Sequence, residues 1–494
     1  MPKNKNLILM ALIIIFALAL RLIFFVGVYG SDDLGYYEFA YKAANNELGH
    51  EENFHSTRIG LIYPTALSYR LFGVNKYTSN LLPLITSMLS IILAYQLGKL
   101  LFSDKAGIMA AFLLSFYPVH VLYSSMLFPD LPSAYFVALG TFLFLKADKT
   151  GTRLNYLLSG ASIGIAYLMK ELSVLIFLFF GIYILYKRKF KLEYSLLALG
   201  FLLVFSFEAA YYASQGYSPL FRYTRVESQA SAIMKYYYPN YMSQTFSRWF
   251  LHYPYVLLSD SEAAFFYASF FVSIGYFLIN RKKAANILLI WVIPIFLFLN
   301  FGSNSFSEYI PLAAGVRYLE ILTLPCIMLL ASLLLQKNIP AKKILVPGAI
   351  SVLLLASFYS LHTSEKISQI MNVKETKNYL ESKPSKLIYA DTRTSEILKY
   401  LFGYARNDLI VPFNQYDVAN FAKGDKNTLL DMRNIHDSYI IVDRVMLSRL
   451  SDHYNDMKFP KEIHEPPKSC IAEKEYGKGN TCPLSTSIDS RMVS

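Results

Sequence analysis

Charged residues are scarce in this sequence. Asp, Glu, Lys and Arg together make up 17% of the 494 residues, whereas a soluble protein carries about 25%. The hydrophobic residues, 54% of the chain, form long blocks such as residues 7–28. Because a bilayer-crossing helix needs a run of about 20 apolar residues, this composition argues against a soluble protein and predicts a polytopic membrane protein. Residues 7–28 lack a small-residue cleavage site, so we interpret them as an uncleaved first span.

Cysteine is also scarce, with three residues in the chain. Cys326 falls within a predicted span, whereas Cys470 and Cys482 fall in a predicted outer segment, where a structural disulfide between them would persist. The sequence leaves that bridge open. It contains no Cys/His metal spacing, no Walker loop and no Gly-rich dinucleotide fingerprint, which argues against an ATP-driven pump. No repeat relates its two halves, which counts against many transporter folds.

The positive charge is distributed in short clusters between the apolar blocks, for example at residues 187–191 and 281–283, although the net charge is +12. This distribution is typical of cytoplasmic loops and indicates topology rather than a nucleic-acid partner. With the clusters inside, the chain has about eleven spans, a cytoplasmic N-terminus and an extracytoplasmic C-terminal domain in the cell membrane. Residues 154–186 are too long for one helix, and we predict two short helices that meet at Lys170-Glu171.

Two domains are predicted. Residues 1–361 form a mainly α-helical membrane core with external segments at 29–78 and 214–262, the second of which is rich in tyrosine and is predicted to be a flap that selects the acceptor. Residues 362–494 form the second domain. It contains strand-like runs in 386–404 and 438–447, and the first is followed by a helical pattern, which predicts a small α/β fold.

Two adjacent carboxylates follow the first span. Asp32 and Asp33 lie outside the membrane in the predicted topology, and either Ser31 or Asp32 could cap a helix that starts there. Asp33, Tyr36 and Tyr37 recur at i, i+3 and i+4, which places an acid and two rings on one helix face. Such rings beside an acid suit the binding of a sugar or an acceptor, and they are also ordinary at a membrane interface.

Other charges are predicted at the same outer level. Asp130 lies in the turn "FPDLP", where it either caps the next helix or faces a cavity. Arg58, Lys170 and Arg317 oppose the bias of basic residues towards the cytoplasm, so they need either an acidic partner or a phosphate to bind. The acids available for pairing are Asp130, Glu171, Glu308 and Glu320. Two further outer cations are Arg222 and Arg225.

Together these motifs resemble a known family. The "DD" and following tyrosines are similar to the acidic motif in the first external loop of GT-C glycosyltransferases, in the branch of protein O-mannosyltransferases and lipid A aminoarabinose transferases. Residues 60–102, "YSSMLFPDLPSAYF", "AYLMKEL" and "GVRYLEILTLP" resemble further segments of that branch in order and spacing. The resemblance covers roughly residues 1–335. Asp33 stands where many members have Glu, and Lys170-Glu171 stands where Lys-Gly is common.

The resemblance implies a transfer of a sugar from a polyprenyl-phosphate donor to a protein, lipid or glycan acceptor, with inversion at the anomeric carbon. It implies that Asp32 is the base, that Asp33 holds Asp32 or the acceptor, and that Lys170, Arg317 and Arg58 bind the donor phosphate. It gives Asp130 three alternative roles, which are to orient a cation, to bind sugar hydroxyls or to help hold a metal. A divalent metal ion is the one cofactor left open, because members differ in metal dependence.

Two other function classes compete with this interpretation. A secondary transporter or lipid flippase would use the outer charges as a gate, but transporters usually place ionisable groups near the bilayer midplane. A non-catalytic surface scaffold would not need the aspartates at all. The expected partners are therefore the bilayer, a lipid-linked sugar and an acceptor.

Overall fold

The structure is a computed structural model. It describes residues 3–49, 53–237, 250, 253–305, 308–312, 315–339, 341–364, 371–390, 392–412 and 438–441. The predicted disulfide at Cys470 and Cys482 and residues 238–249 of the predicted flap lie outside these ranges. The chain divides into two units, the first comprising Met1–Gly27 and Gly35–Ile367, and the second Val28–Leu34 and Ser368–Ser494.

The first unit is helical. Its helices are α1 (Lys3–Ile23), α2 (Asp32–Ala44, which begins in the second unit), α3 (Ile59–Phe72), α4 (Lys76–Ser79), α5 (Leu81–Leu101), α6 (Asp104–Phe116), α7 (Pro118–Tyr123), α8 (Asp130–Thr150), α9 (Arg153–Met169), α10 (Ile176–Lys187), α11 (Ser195–Ser214), α12 (Phe221–Tyr237), α13 (Tyr253–Ser259), α14 (Phe266–Asn280), α15 (Lys283–Phe301), α16 (Glu320–Leu334) and α17 (Lys342–Ser364).

Six helices in the described part of the chain are long and apolar enough to cross a membrane. They are Lys5–Ile23, Leu81–Leu101, Leu192–Ser214, Lys283–Phe301, Val316–Leu334 and Lys342–Ser364. Large apolar side chains on these helices, such as Leu7, Ile23 and Leu355, are more than half exposed, which suits contact with lipid rather than water. The prediction of a multi-pass, mainly helical membrane protein is confirmed, and the count of about eleven spans stays a prediction.

Helix α16 occupies the centre of the first unit. The segment Val316–Leu334 is buried over 78% of its apolar window, whereas the other five candidate spans reach at most 50%. It packs against α5, α6, α8, α14 and α15. The residues at its N-terminal end are therefore held by the surrounding helices, and Arg317 and Glu320 are among them.

A buried arginine joins α1 to the neighbouring helices. Arg21 is fully buried, and it donates hydrogen bonds to the hydroxyl of Ser87 in α5 at 2.6 Å and to the carbonyl of Ser115 in α6 at 3.0 Å. A third bond goes to the carbonyl of Ala17 one turn earlier, also at 3.0 Å. A charged group inside an apolar bundle is stable only with such partners, so Arg21 fixes the position of α1.

Helices α9 and α11 touch through their backbones. A Cβ placed on Gly160 would lie 1.9 Å from the carbonyl oxygen of Leu197, and one placed on Gly200 would lie 2.1 Å from that of Leu157. Glycine at these two positions lets the helices approach more closely than any side chain would allow, as is usual where helices pack inside membranes. Because α9 also packs along α8, this contact sets the position of the α8–α9 hairpin.

The helix break predicted at Lys170-Glu171 is confirmed. Helix α9 ends at Met169, because Lys170 adopts an extended backbone conformation (φ −150°, ψ 124°). The amide and the hydroxyl of Ser173 both donate to the carbonyl of Lys170, at 3.1 and 2.7 Å. The chain then forms a 3₁₀ turn over Glu171–Leu175 before α10 begins. Lys170 and Glu171, which are adjacent and charged, thus lie at the turn between α9 and α10.

The second unit contains a parallel sheet. Its elements are α18 (Met371–Glu381), β1 (Ile388–Ala390), α19 (Thr392–Leu401), β2 (Ile410–Pro412) and β3 (Tyr439–Ile441). The strand order is β2-β1-β3, and Ile388 pairs with Ile410 on one side and with Tyr439 on the other. Parallel neighbours need a crossover connection, which α19 supplies between β1 and β2. The predicted α/β fold is confirmed, and β2 is a strand that the sequence pattern did not indicate.

The contact between α9 and α11 predicts the effect of a single methyl group. Gly160→Ala should lower the free energy of unfolding by about 1–3 kcal/mol, because the new Cβ overlaps the Leu197 carbonyl. Gly181→Ala in α10 is the matched control, since a Cβ there meets nothing within 4 Å. Thermal unfolding of the purified protein in detergent measures both variants. Equal midpoints for the two would contradict the backbone contact.

Candidate functional site

A buried ion pair lies at the turn between α9 and α10. The ammonium group of Lys170 donates to a carboxylate oxygen of Asp130, and both residues are buried. They meet because α8 starts at Asp130 and the antiparallel α9 ends just before Lys170. The cap position of α8 is Pro129, which makes no side-chain cap bond. The structure thus shows Asp130 in contact with Lys170, and its role in the reaction stays a prediction.

The neighbouring residue, Glu171, lies between two arginines. Its carboxylate oxygens are 3.4 Å from a terminal guanidinium nitrogen of Arg58 and 3.4 Å from one of Arg222. Arg222 also donates to Glu208 of α11 at 2.9 Å, and both of these side chains are buried. Arg58 also donates to the hydroxyl of Tyr36. Two arginines and two glutamates from four separate segments therefore neutralise one another around Glu171.

The two arginines determine the protonation of Glu171. It lies in the turn between α9 and α10, outside the candidate spanning helices. Burial acts to raise the pKa of Glu171, but attraction from Arg58 and Arg222 is stronger and lowers that pKa to about 2. The carboxylate is thus ionised throughout the physiological range, and the cluster keeps its negative centre.

A polar pocket opens beside the Lys170–Asp130 pair. The polar residues that line it are Asp130, Ser133, Lys170, Ser173, Arg317, Tyr318 and Glu320. Both cations lie near the ring of Tyr318, with the Lys170 nitrogen 4.4 Å and the Arg317 guanidinium carbon 5.0 Å from its centre. Arg317 donates to the Tyr318 hydroxyl at 3.1 Å. Lys170 and Arg317 are 147 residues apart in sequence, yet both face one small cavity. The ring of Tyr318 contacts both cations.

Two carboxyl groups besides Asp130 act near Arg317: Glu320 lines the pocket, and Glu262 interacts electrostatically with Arg317. Glu320 is buried and lies 3.3 Å from the Nδ1 atom of His120 in α7. Glu262 lies in a 3₁₀ turn outside the spanning helices and accepts a hydrogen bond from Tyr123 at 3.4 Å. Burial and the nearby charge of Asp260 raise the pKa of Glu262 to about 7.

The two tyrosines of α2 are buried, and their hydroxyls bond to the protein. Tyr36 accepts from Arg58, and its ring lies edge-on to that of His55 with centroids 4.9 Å apart. Tyr37 donates to Asn80 at 3.0 Å and to the carbonyl of Gly27 at 3.3 Å. Both rings are fully buried. The structure therefore shows them in contact with protein groups, and their predicted contact with a sugar or an acceptor stays a prediction.

Asp32 and Asp33 differ sharply in environment within the second unit. Asp33 is fully buried, and its carboxylate accepts the backbone N–H groups of Tyr29 at 2.7 Å, Gly30 at 3.1 Å and Ser31 at 2.6 Å. Burial raises the pKa of Asp33, and these three bonds act in the opposite direction. Asp32 is only partly buried, and its own N–H donates to the Ser31 hydroxyl at 2.6 Å. The Ser31 hydroxyl thus binds the first N–H of α2, while Asp33 binds the turn that precedes the helix.

The structure does not identify a metal site. Among the residues it describes, no three His, Cys, Asp or Glu side chains lie close enough together to hold a metal ion. The divalent metal left open from the sequence stays a prediction.

Several members of the cluster were missed from the sequence. Glu208 is a single carboxylate within an apolar block, and such a residue is a recognisable signal because it requires a partner inside the bundle. The same argument applies to Arg21 in the first span. Tyr318 and His120 carry no comparable signal, since a tyrosine or a histidine in a helix is most often an ordinary core residue.

Known proteins share this architecture. Residues 59–211 match the family model described as dolichyl-phosphate-mannose-protein mannosyltransferase. The crystal structure of ArnT from Cupriavidus metallidurans bound to undecaprenyl phosphate aligns with a TM-score of 0.61 at 14% identity, over 90% of this chain and 94% of that chain. The oligosaccharyltransferase AglB from Archaeoglobus fulgidus, in complex with an inhibitory peptide and a dolichol-phosphate, aligns with a TM-score of 0.56 at 13% identity, over 92% and 71%. A comparison with curated protein sequences gave no match.

The chain is a glycosyltransferase of the GT-C fold. The resemblance inferred from the motifs is confirmed, and the transporter and scaffold alternatives are set aside. The matched segment, residues 59–211, contains Asp130, Lys170, Glu171 and Glu208. Four charged residues of the ion-pair cluster of this glycosyltransferase therefore come from the part of the chain that carries the family pattern.

The position of Glu171 between two arginines predicts the effect of neutralising it. Glu171→Gln should lower the free energy of unfolding by about 1–3 kcal/mol, because Arg58 and Arg222 then keep buried positive charge with one fewer carboxylate. Glu193→Gln is the matched control, since its pair with Arg153 is largely exposed and such pairs contribute little. Thermal unfolding in detergent at neutral pH measures both. An equal effect of the two substitutions would show that the cluster is not the stabilising element inferred here.

Proposed function

We propose that this glycosyltransferase moves a sugar from a polyprenyl-phosphate donor to an acceptor on the outer face of the membrane. The observation that carries the proposal is the pocket in which Lys170 and Arg317 both contact the ring of Tyr318. The pocket gathers more than one cation around a space that a small anionic group could enter. A phosphate is the anion that two fixed cations bind well.

Lipid-linked phosphate fits this pocket for a further reason. The cations lie at the ends of helices that pack in an apolar bundle, with Lys170 at the end of α9 and Arg317 just before α16. A polyprenyl phosphate keeps its chain among apolar groups and its phosphate at the boundary. The ArnT and AglB structures contain undecaprenyl phosphate and dolichol-phosphate respectively, and we extend that ligand class to this chain.

Asp32 is our choice for the base. Asp33 is buried and its carboxylate already accepts three backbone N–H groups, so it suits holding the turn. Asp32 is partly exposed, which leaves it better suited to meet an acceptor. It also lies four residues before Tyr36 on α2, about one helical turn, and the Tyr36 hydroxyl accepts from Arg58. Arg58 stays our third candidate for binding the donor phosphate, and Tyr36 and Tyr37 stay our candidates for contacting the sugar or the acceptor.

The reaction we infer is an in-line displacement. The acceptor oxygen forms a bond to the anomeric carbon while its proton moves to the Asp32 carboxylate. The bond between that carbon and the phosphate oxygen breaks on the opposite face, and the electron pair leaves with the polyprenyl phosphate, which inverts the anomeric configuration. Lys170, oriented by Asp130, and Arg317 stabilise the negative charge that develops on the phosphate.

The orientation of the chain is part of the proposal. The basic clusters between the apolar blocks support a cytoplasmic N-terminus. With one crossing by α1, the turn that carries Asp32 lies on the opposite side of the membrane. The C-terminal segment is assigned to that same extracytoplasmic side.

Replacement of Asp32 tests the base. In cells that lack the gene, Asp32→Asn should restore about 10²- to 10⁴-fold less sugar transfer than the wild type, because proton removal is lost. Mass spectrometry of surface glycans and glycoproteins measures transfer and identifies the sugar. Asp104→Asn is the matched control, since Asp104 also begins a helix but pairs with Lys99. Full transfer by Asp32→Asn would overturn the assignment, and no difference between cells with and without the wild-type gene would overturn the proposed function.

Replacement of Lys170 tests the phosphate site separately. Lys170→Gln should bind undecaprenyl phosphate at least about tenfold more weakly, because one charge-assisted contact with the phosphate is lost. Lys191→Gln is the control, since Lys191 makes a similar ion pair with Asp148 at 2.6 Å near the opposite end of α8. Binding of the lipid to the purified proteins in detergent gives the comparison. Equal weakening by both substitutions would argue against a phosphate at this pocket.

A further inference from the structure

The peptide group between Gly30 and Ser31 is hydrogen-bonded on both sides. Its N–H, which belongs to Ser31, donates to an oxygen of the Asp33 carboxylate at 2.6 Å. Its carbonyl, which belongs to Gly30, accepts from the guanidinium of Arg393. Residues Val28–Leu34 and Arg393 all belong to the second unit. A cation and an anion from distant parts of the sequence therefore bind the two ends of one peptide dipole.

This arrangement should strengthen both bonds. A cation on a carbonyl polarises the peptide and makes its N–H a better donor, and charge-assisted bonds are about twice as strong as neutral ones. The turn needs such support because Gly30 has a left-handed backbone (φ +93°) that few other residues adopt. The Asp33 carboxylate alone links three consecutive N–H groups of the turn. Arg393 adds a contact from outside the turn.

The position of Arg393 is itself fixed by the fold of the second unit. It is the second residue of α19, which follows β1 after one intervening residue. Helix α19 buries Thr394, Ile397 and Leu398 and packs against β1 and β2. The parallel sheet thus sets where α19 begins, and the start of α19 carries the guanidinium that reaches the Gly30 carbonyl. A helix anchored in this way can hold a turn more firmly than a flexible loop can.

We propose that Arg393 is a positioning residue for sugar transfer, through which the second unit fixes the turn that carries Asp32. The inference rests on the proposed function, because its catalytic consequence requires Asp32 to act in the reaction. The second unit then affects catalysis by holding the turn, although no residue of α19 touches the substrate. The effect runs from Arg393 to the peptide of Gly30 and Ser31, then to Asp33 and the adjacent Asp32.

The test compares two arginines of the second unit. Arg393→Gln removes the cation from the Gly30 carbonyl. Arg406→Gln is the matched control, because Arg406 also donates to a backbone carbonyl, that of Leu380 at 3.5 Å. Hydrogen exchange of a peptide covering residues 28–34, measured by mass spectrometry on the full-length protein in detergent, should be about tenfold faster in Arg393→Gln and unchanged in Arg406→Gln. This readout does not depend on which residue is the base.

The functional arm measures transfer and binding separately. Arg393→Gln should reduce sugar transfer in complemented cells by about 10- to 100-fold, because small displacements of a catalytic group are costly. Its affinity for undecaprenyl phosphate should stay within about twofold of the wild type. Arg393→Lys, which retains a charged donor, should recover part of the lost transfer. A merely destabilised protein would instead lose lipid binding together with transfer, and would not be rescued by lysine.

The outcomes separate this inference from the proposed function. Unchanged exchange at residues 28–34 in Arg393→Gln overturns the inference, as does faster exchange with full transfer while Asp32→Asn remains inactive. If Asp32→Asn transfers normally, the proposed base fails, and with it the catalytic role given to Arg393. Faster exchange, lost transfer, retained lipid binding and partial rescue by lysine together support it.

Discussion

The pairing of buried charges around Lys170 and Glu171 is the constraint on which the helical unit depends. Four cations and four carboxylates meet near the turn between α9 and α10 and the adjacent pocket. They are Arg58, Lys170, Arg222 and Arg317 with Asp130, Glu171, Glu208 and Glu320. In an apolar bundle an unpaired charge is costly, so each ion pair ties its helices to the others. Lys170 and Glu171 are adjacent but bind different partners. The turn that contains them, between α9 and α10, therefore joins both halves of the cluster.

The helix that ends just before Lys170, α9, is packed closely against α11 through two glycines. Helices α9 and α11 touch at Gly160 and Gly200, where no Cβ could be accommodated, and α9 also packs along α8. The antiparallel course of α8 and α9 brings Asp130 and Lys170 together. ArnT and AglB have this architecture at 14% and 13% identity. The fold is thus shared although most side chains differ.

The two adjacent aspartates show how neighbouring residues of the same type can differ in environment. Asp33 is buried and satisfies three N–H groups of a turn that contains a left-handed glycine. Asp32 remains partly exposed. Asp33 is therefore the acid that holds the turn. The bond from Arg393 to the Gly30 carbonyl connects the sheet of the second unit to the same turn.

The sequence by itself determined the membrane class, the helix break at Lys170-Glu171, the α/β character of the second unit and the family resemblance. These depend on local composition, hydrophobic run length and residue order, which are visible in one dimension. Only the tertiary structure decided the partners: Asp130 with Lys170, Glu171 with Arg58 and Arg222, and the cation pair around Tyr318. It also decided that Tyr36 and Tyr37 are buried and that Asp33 binds a turn. The physical reason is that charge pairing and burial depend on which helix ends meet, and sequence spacing does not specify contacts between residues that are 40 to 147 positions apart.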